Sequence, residues 1–139
     1  MIELDNRSTL EVDEQLLQKI ADTLTDKEIE LIITDDAEIQ KINAEYRSID
    51  KATDVLSFPY EEMPMSPLGS IVISENFVKS KALELKHTAD AEMALLFIHG
   101  LLHLLGYDHE VDSGEMREKE KEMIQNFSLP NSLIVRTEG

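Results

Sequence analysis

No cysteine occurs among the 139 residues. That excludes disulfides and thiolate metal ligands, and leaves His, Asp and Glu as the side chains able to hold a metal. It also agrees with a cytoplasmic protein. Basic residues are scarce: 13 Lys and Arg stand against 29 Asp and Glu, a formal net charge of −16. A protein that grips nucleic acid through bulk charge presents a basic surface, so this balance argues against that mode of binding. It leaves room for a local basic groove, or for an enzyme brought to RNA by a basic protein. Long apolar runs are missing too. The opening MIELDNRSTL holds no basic segment followed by an apolar core, as a secretory signal would. The most hydrophobic stretch is too short and too polar to span a membrane.

What is present is ordinary for a soluble domain, with 42% apolar and 30% charged residues. The length fits one domain, residues 1–139, large enough to bury a proper core. Three of its four histidines fall in one stretch, ALLFIHGLLHLLGYDHE at residues 94–110. His99 and His103 are four apart, which on an α-helix puts them on one face. Leucine, isoleucine and phenylalanine surround them on all sides, so this helix should be buried. Gly106 supplies the residue type that ends helices, and a chain turning there can bring His109 to the other two.

That spacing suits a metal. Two histidines at i and i+4 plus a third beyond a glycine turn can occupy three corners of a tetrahedron, leaving the fourth for water, as in catalytic zinc sites. Imidazole ligands favour Zn2+, with Ni2+ or another divalent metal compatible. The competing reading makes His99 and His103 core residues and His109 a surface loop residue. The skeleton H-x-x-x-H-x-x-G-x-x-H is that of the metzincin proteases, but the glutamate that serves them as general base is here Gly100. A peptidase reading is therefore weak, and the residue types leave the general base open.

In chain order, Met1 to Leu4 suits a short edge strand, and Leu16, Leu17, Ile20 and Leu24 have helical spacing after Asp13. Residues 28–34 suit a core strand, with Asp35 or Asp36 capping a second helix through about Tyr46. Residues 53–58 form a strand stopped by Pro59, residues 60–68 a surface loop, and residues 69–74 a central strand. Ser74 can cap a helix to about Leu85, and the histidine helix begins near Asp90. Residues 112–115 have the form of a capping box for a last, charge-laced helix from about 113 to 126. Leu133, Ile134 and Val135 are apolar enough to pack back on the core. His87 suits the surface and Tyr107 suits packing. The pattern is α+β: a mixed, mostly four-stranded sheet packed with about five helices, a buried central helix carrying the histidines.

HGLLHLLGYDHE at residues 99–110 and YRSIDKATDVLSFPY at residues 46–60, with LGSIVIS at 68–74 between them and the histidines, resemble the YbeY family of bacterial rRNA maturation factors. The likeness runs in matching order over residues 46–122. It implies a metal-dependent, single-strand-specific endoribonuclease that matures the 3′ end of small-subunit rRNA and serves ribosome quality control. The family's zinc ligands fall on His99, His103 and His109, its important arginine on Arg47, and a wall of its cleft on residues 53–59. Arg47 and His99 are thus the candidate catalytic residues, Arg47 as a bidentate phosphate ligand. The other reading of Arg47 is a cation at a helix C-terminus. Asp108 could orient a ligand imidazole or bond its own loop. Asp54 suits a structural role, and Ser57 lies on the same strand. The family's Leu-Gly-Asp-Ile block has Ser70 at its acidic position, so a charged role there does not carry over. Single-stranded RNA is the implied substrate, and the acidic balance fits a basic protein of the small ribosomal subunit as partner. No oligomeric state is implied. Two other readings stay open: a non-catalytic assembly factor with a structural metal, and a metallohydrolase of another substrate class.

Overall fold

A computed structural model of the chain describes residues 1–130 apart from positions 62, 64 and 109. His109 and the apolar tail segment at 133–135 therefore lie outside the described residues. Four strands form one mixed sheet: β1 (Ile2–Asn6), β2 (Ile29–Thr34), β3 (Val55–Pro59) and β4 (Gly69–Ser74), in the order β1-β2-β4-β3. β1, β2 and β4 run parallel, and β3 is antiparallel at the edge beside β4. Every residue of β4 is buried, as its continuous apolar run requires of a strand covered on both faces. Pro59 closes β3 from within, opposite Gly69. An edge strand tolerates it because no further neighbour needs its missing N–H.

Five helices cover the sheet: α1 (Glu14–Leu24), α2 (Asp36–Arg47), α3 (Glu75–Leu85), α4 (Ala89–Leu104) and α5 (Glu115–Phe127). The caps follow the sequence closely. Asp13, Asp35, Ser74 and Thr88 each accept a backbone N–H of the first turn, satisfying donors that a helix start leaves orphaned. α5 departs from the capping box suggested by residues 112–115. Its N-cap is Gly114, which has no side chain, and the Asp112 carboxylate instead accepts the N–H groups of Gly114 and Met116.

Strand alternation sorts the core into two parts. Leu31, Ile33, Ile71 and Ile73 face a large cluster with Leu17 and Ile20 of α1, Phe97 and Leu101 of α4, and Met116 and Met123 of α5. Leu56 and Val72 face the other way, onto Ile39 of α2. α2 thus lies alone on its face of the sheet, and its C-terminal end reaches the rim beside β3. α4 is the buried element, with residues as far apart as Met93 and Leu104 sealed from solvent. Among the described residues no helix is long and apolar enough to cross a membrane. His87 is not the surface residue its polar neighbourhood suggests: its Nε2 lies 2.8 Å from Oε1 of Glu92, a carboxylate only 1% exposed in the first turn of α4.

Candidate functional site

α4 packs on β3 and β4 at a distance that only glycine allows. A Cβ on Gly100 would lie 2.9 Å from Ile71 Cγ2, 3.1 Å from Ser57 Oγ and 3.2 Å from Val55 Cγ2. Ser57 uses the close approach, donating its hydroxyl to the Gly100 carbonyl at 3.0 Å. Position 100 therefore points into the sheet. A glutamate there would be driven into Ile71 and Val55 rather than presented beside the histidines, so this turn of α4 has no room for the metzincin base.

Flanking that contact, one residue before Gly100 and three after it, His99 and His103 come together on the open flank of α4. Their rings meet edge to face with centroids 4.8 Å apart, and Nε2 of one lies 3.2 Å from Nε2 of the other. Nδ1 of His99 lies 2.7 Å from Oε2 of Glu120 on α5. A carboxylate only accepts, so Nδ1 carries the hydrogen, and in the neutral ring Nε2 holds the lone pair on the side of His103. Glu120 is 2% exposed, and burying a carboxylate is costly unless it is hydrogen-bonded. Carboxylate, imidazole and ligand atom in a row are the usual arrangement behind a metal-binding histidine. The donor chemistry of the pair fits zinc. Among the described residues no three His, Asp or Glu side chains converge as a metal cage. The third histidine of the spacing, His109, is not among them.

α4 ends as its sequence foretells. Gly106 is in the left-handed region, with φ +100°, and nothing lies within 4 Å of where its Cβ would be, so it serves conformation rather than space. The N–H of Gly106 bonds the His103 carbonyl and that of Tyr107 bonds the Leu102 carbonyl, a Schellman turn. Tyr107 packs on the main core. The turn returns the chain toward the histidines, where Asp108 and Glu110 line the same cleft.

That cleft, of about 530 Å3, lies between the end of α2, β3, the C-terminal half of α4 and this loop. Its lining brings together most of the residues singled out from the sequence: Arg47, Asp54, Ser57, His99, His103 and Asp108. Arg47 is exposed at the last position of α2 and makes no hydrogen bond or ion pair with the described residues. Ser48 ends the helix in the left-handed conformation, and the buried Asn43 holds the following loop by donating to the Lys51 carbonyl. Asp54 accepts the N–H of Val55 through its carboxylate, a structural use of an acid that also faces the cleft. Asp108 bonds its own loop, accepting the Glu110 N–H, while the carboxylate behind His99 is Glu120.

Ser70 lies elsewhere. It is 8% exposed on β4, alternating with Ile71, so it faces the α2 side of the sheet, away from the histidines. Its neighbour there is Tyr60, whose hydroxyl also donates to Glu30. That carboxylate, and then burial, holds the phenol above its ordinary pKa. Glu120 is the residue that sequence reasoning passed over. The signal was Met116, Glu120 and Met123 at helical spacing, which sets one glutamate of α5 on the apolar stripe.

The sequence profile of the family described as Endoribonuclease YbeY matches residues 2–128. The Endoribonuclease YbeY of Sulfurimonas denitrificans is 63% identical over 139 residues, covering 100% of both chains. That of Nautilia profundicola is 60% identical over 138 residues and that of Helicobacter pylori 54% over 139, each covering 99% of both chains. A Thermotoga maritima protein of known solution structure superimposes with a TM-score of 0.61 at 29% identity, over 91% of this chain and 89% of that one.

Proposed function

We propose, from the premise that this chain belongs to the YbeY family of endoribonucleases, that the cleft between α2 and α4 cleaves single-stranded RNA and that its substrate is the 3′ end of small-subunit rRNA in the cytoplasm. The observation that carries this reading is the meeting of the His99–His103 pair and Arg47 across one cleft. The three histidines, His99, His103 and His109, are the side chains that would hold Zn2+ or a related divalent ion. When bound, that ion supplies Lewis acidity toward a phosphoryl oxygen. Everything else is the work of the chain.

Arg47 is the one Lys or Arg among the described residues that line the cleft. Its planar guanidinium can donate two parallel N–H bonds to a phosphate and neutralise charge that develops on it during cleavage. Having no competing partner among the described residues, it needs to break no ion pair with them to do so. Glu120 fixes the rotation of the His99 ring, and the Ser57 hydroxyl locks α4 to β3 so that the histidines keep their height above Asp54 and Val55. The close packing at Gly100 leaves no carboxylate base on that turn of α4, so the proton acceptor must come from the cleft rim or from solvent.

The test is cleavage of a labelled single-stranded RNA carrying the small-subunit rRNA 3′ end, by metal-loaded wild type, His103→Ala and Arg47→Ala. Arg47→Ala should retain its metal and lose on the order of a hundredfold or more in kcat, as for removal of one charge-stabilising donor. His103→Ala should lose metal and activity together. A metal-loaded wild type that leaves this RNA whole, or an Arg47→Ala that cuts it at the wild-type rate, would overturn the reading.

A further inference from the structure

Tyr46 is 67% exposed although its ring is one of the largest apolar groups in the protein. It stands immediately before Arg47 in the last turn of α2, and its ring meets Phe58 edge to face with centroids 5.6 Å apart and planes at 62°. Phe58 is itself anchored, packing on the Ile39, Leu56 and Val72 cluster. Tyr46 is therefore held along one side by a seated ring and left open on the rest, at the mouth of the cleft that both rings line.

The charges of that cleft say what such a surface is for. Among the described residues, Asp54, Asp108 and Glu110 line it against the one guanidinium of Arg47, and the chain as a whole carries −16. Even with the divalent ion that the histidines would hold, these carboxylates offset the positive charge of the cleft, so phosphate contacts alone give a polyanionic strand little net attraction. Stacking on an aromatic face is indifferent to that field, and every base offers a π-face. A base inside a duplex has both faces covered, so an aromatic platform also selects for unpaired strands.

We propose that Tyr46, braced by Phe58, is the stacking platform for the unpaired base next to the phosphate that Arg47 contacts. This deepens the ribonuclease reading and rests on it. Because Tyr46 and Arg47 are adjacent in the chain, base and phosphate are gripped at a fixed spacing, and the strand is positioned for cleavage by shape rather than by sequence.

The probe is a single-stranded oligoribonucleotide with 2-aminopurine placed at successive positions, mixed with metal-loaded protein and read before turnover. Stacking quenches its emission. Wild type and Tyr46→Phe should quench one position strongly, and Tyr46→Ala should not. In turnover, Tyr46→Ala should raise KM about ten- to a hundredfold, the usual loss for one stacked base, with little change in kcat. Tyr46 is exposed, so its truncation leaves the core intact, and a thermal melt checks this. If Tyr46→Ala quenches and cleaves as wild type does, the platform is overturned while the ribonuclease reading stands. If wild type neither quenches nor cleaves, both fall.

Discussion

Glu120 is one acidic side chain among 29, and burial is what separates it from the rest. Its neighbours Glu118 and Glu122 stand on the wet side of α5, whereas Glu120 reaches Nδ1 of His99 from within the core. A carboxylate in that position fixes the tautomer and ring orientation of the imidazole, and removing such a partner typically costs about 10- to 100-fold in metal affinity or activity. Glu120→Ala should therefore weaken zinc binding by about that factor while His99 and His103 remain in place, with Glu120→Gln recovering part of it. Calorimetric titration of Zn2+ into the stripped proteins reads this directly. Equal affinity in all three would mean that Glu120 serves only packing. The same residue shows the limit of sequence reading. The run EMREKEKEM presents glutamates and lysines that pair on a solvated face, and only the flanking methionines betray the one that turns inward.

At the scale of elements, the site depends on how near α4 lies to the edge of the sheet. Gly100 sets that distance. In Gly100→Ala the new methyl would sit 2.9 Å from a methyl of Ile71, a fully buried β-branched residue with little freedom to move. Overpacking of this kind costs about 1–3 kcal/mol, against a gain of at most about 1 kcal/mol from replacing glycine in a helix. The variant should unfold at lower denaturant than wild type, and equal or higher stability would show that α4 can shift without loss. The starts of α2 and α3 were legible because Asp35 and Ser74 are capping types placed before apolar periodicity. The end of α4 was legible because Gly106 was the residue able to take a positive φ. β4 was legible from an apolar run that admits no wet face. The start of α5 was not. Asp112 and Glu115 have the spacing of a capping box, but Gly114 takes the N-cap position at φ +107°, and the Asp112 carboxylate accepts from Gly114 and Met116 from outside the helix. His87 was misread for a related reason, since Glu92, the partner that draws it inward, sits on the next helix across a turn. Most of the cleft lining could be named from the sequence, yet Ser70 could not be placed, because its face follows from the pairing of β4 with β3 and not from its own neighbours.

At the scale of the whole molecule, a charge of −16 and an RNA substrate pull against each other. Arg47 and a stacking surface can hold one nucleotide, but a long approach over an acidic surface is slowed by repulsion, more so at low salt. We propose that a basic protein of the small ribosomal subunit supplies the attraction, so that the enzyme is delivered to the rRNA end by its partner. Capture of such a protein by the immobilised chain should weaken steeply as salt is raised through the physiological range. Retention indifferent to salt would remove the electrostatic basis for the partnership.

The claim on which the rest depends is that the histidine cleft cuts RNA with a bound metal. The most direct measurement strips the protein with a chelator, confirms by elemental analysis that the metal is gone, and follows cleavage of the single-stranded rRNA 3′ end before and after one equivalent of Zn2+ is returned. The account predicts that cleavage is lost on stripping and restored by the single equivalent in wild type, and that it is not restored in His103→Ala. Full-rate cleavage by the stripped protein would contradict it.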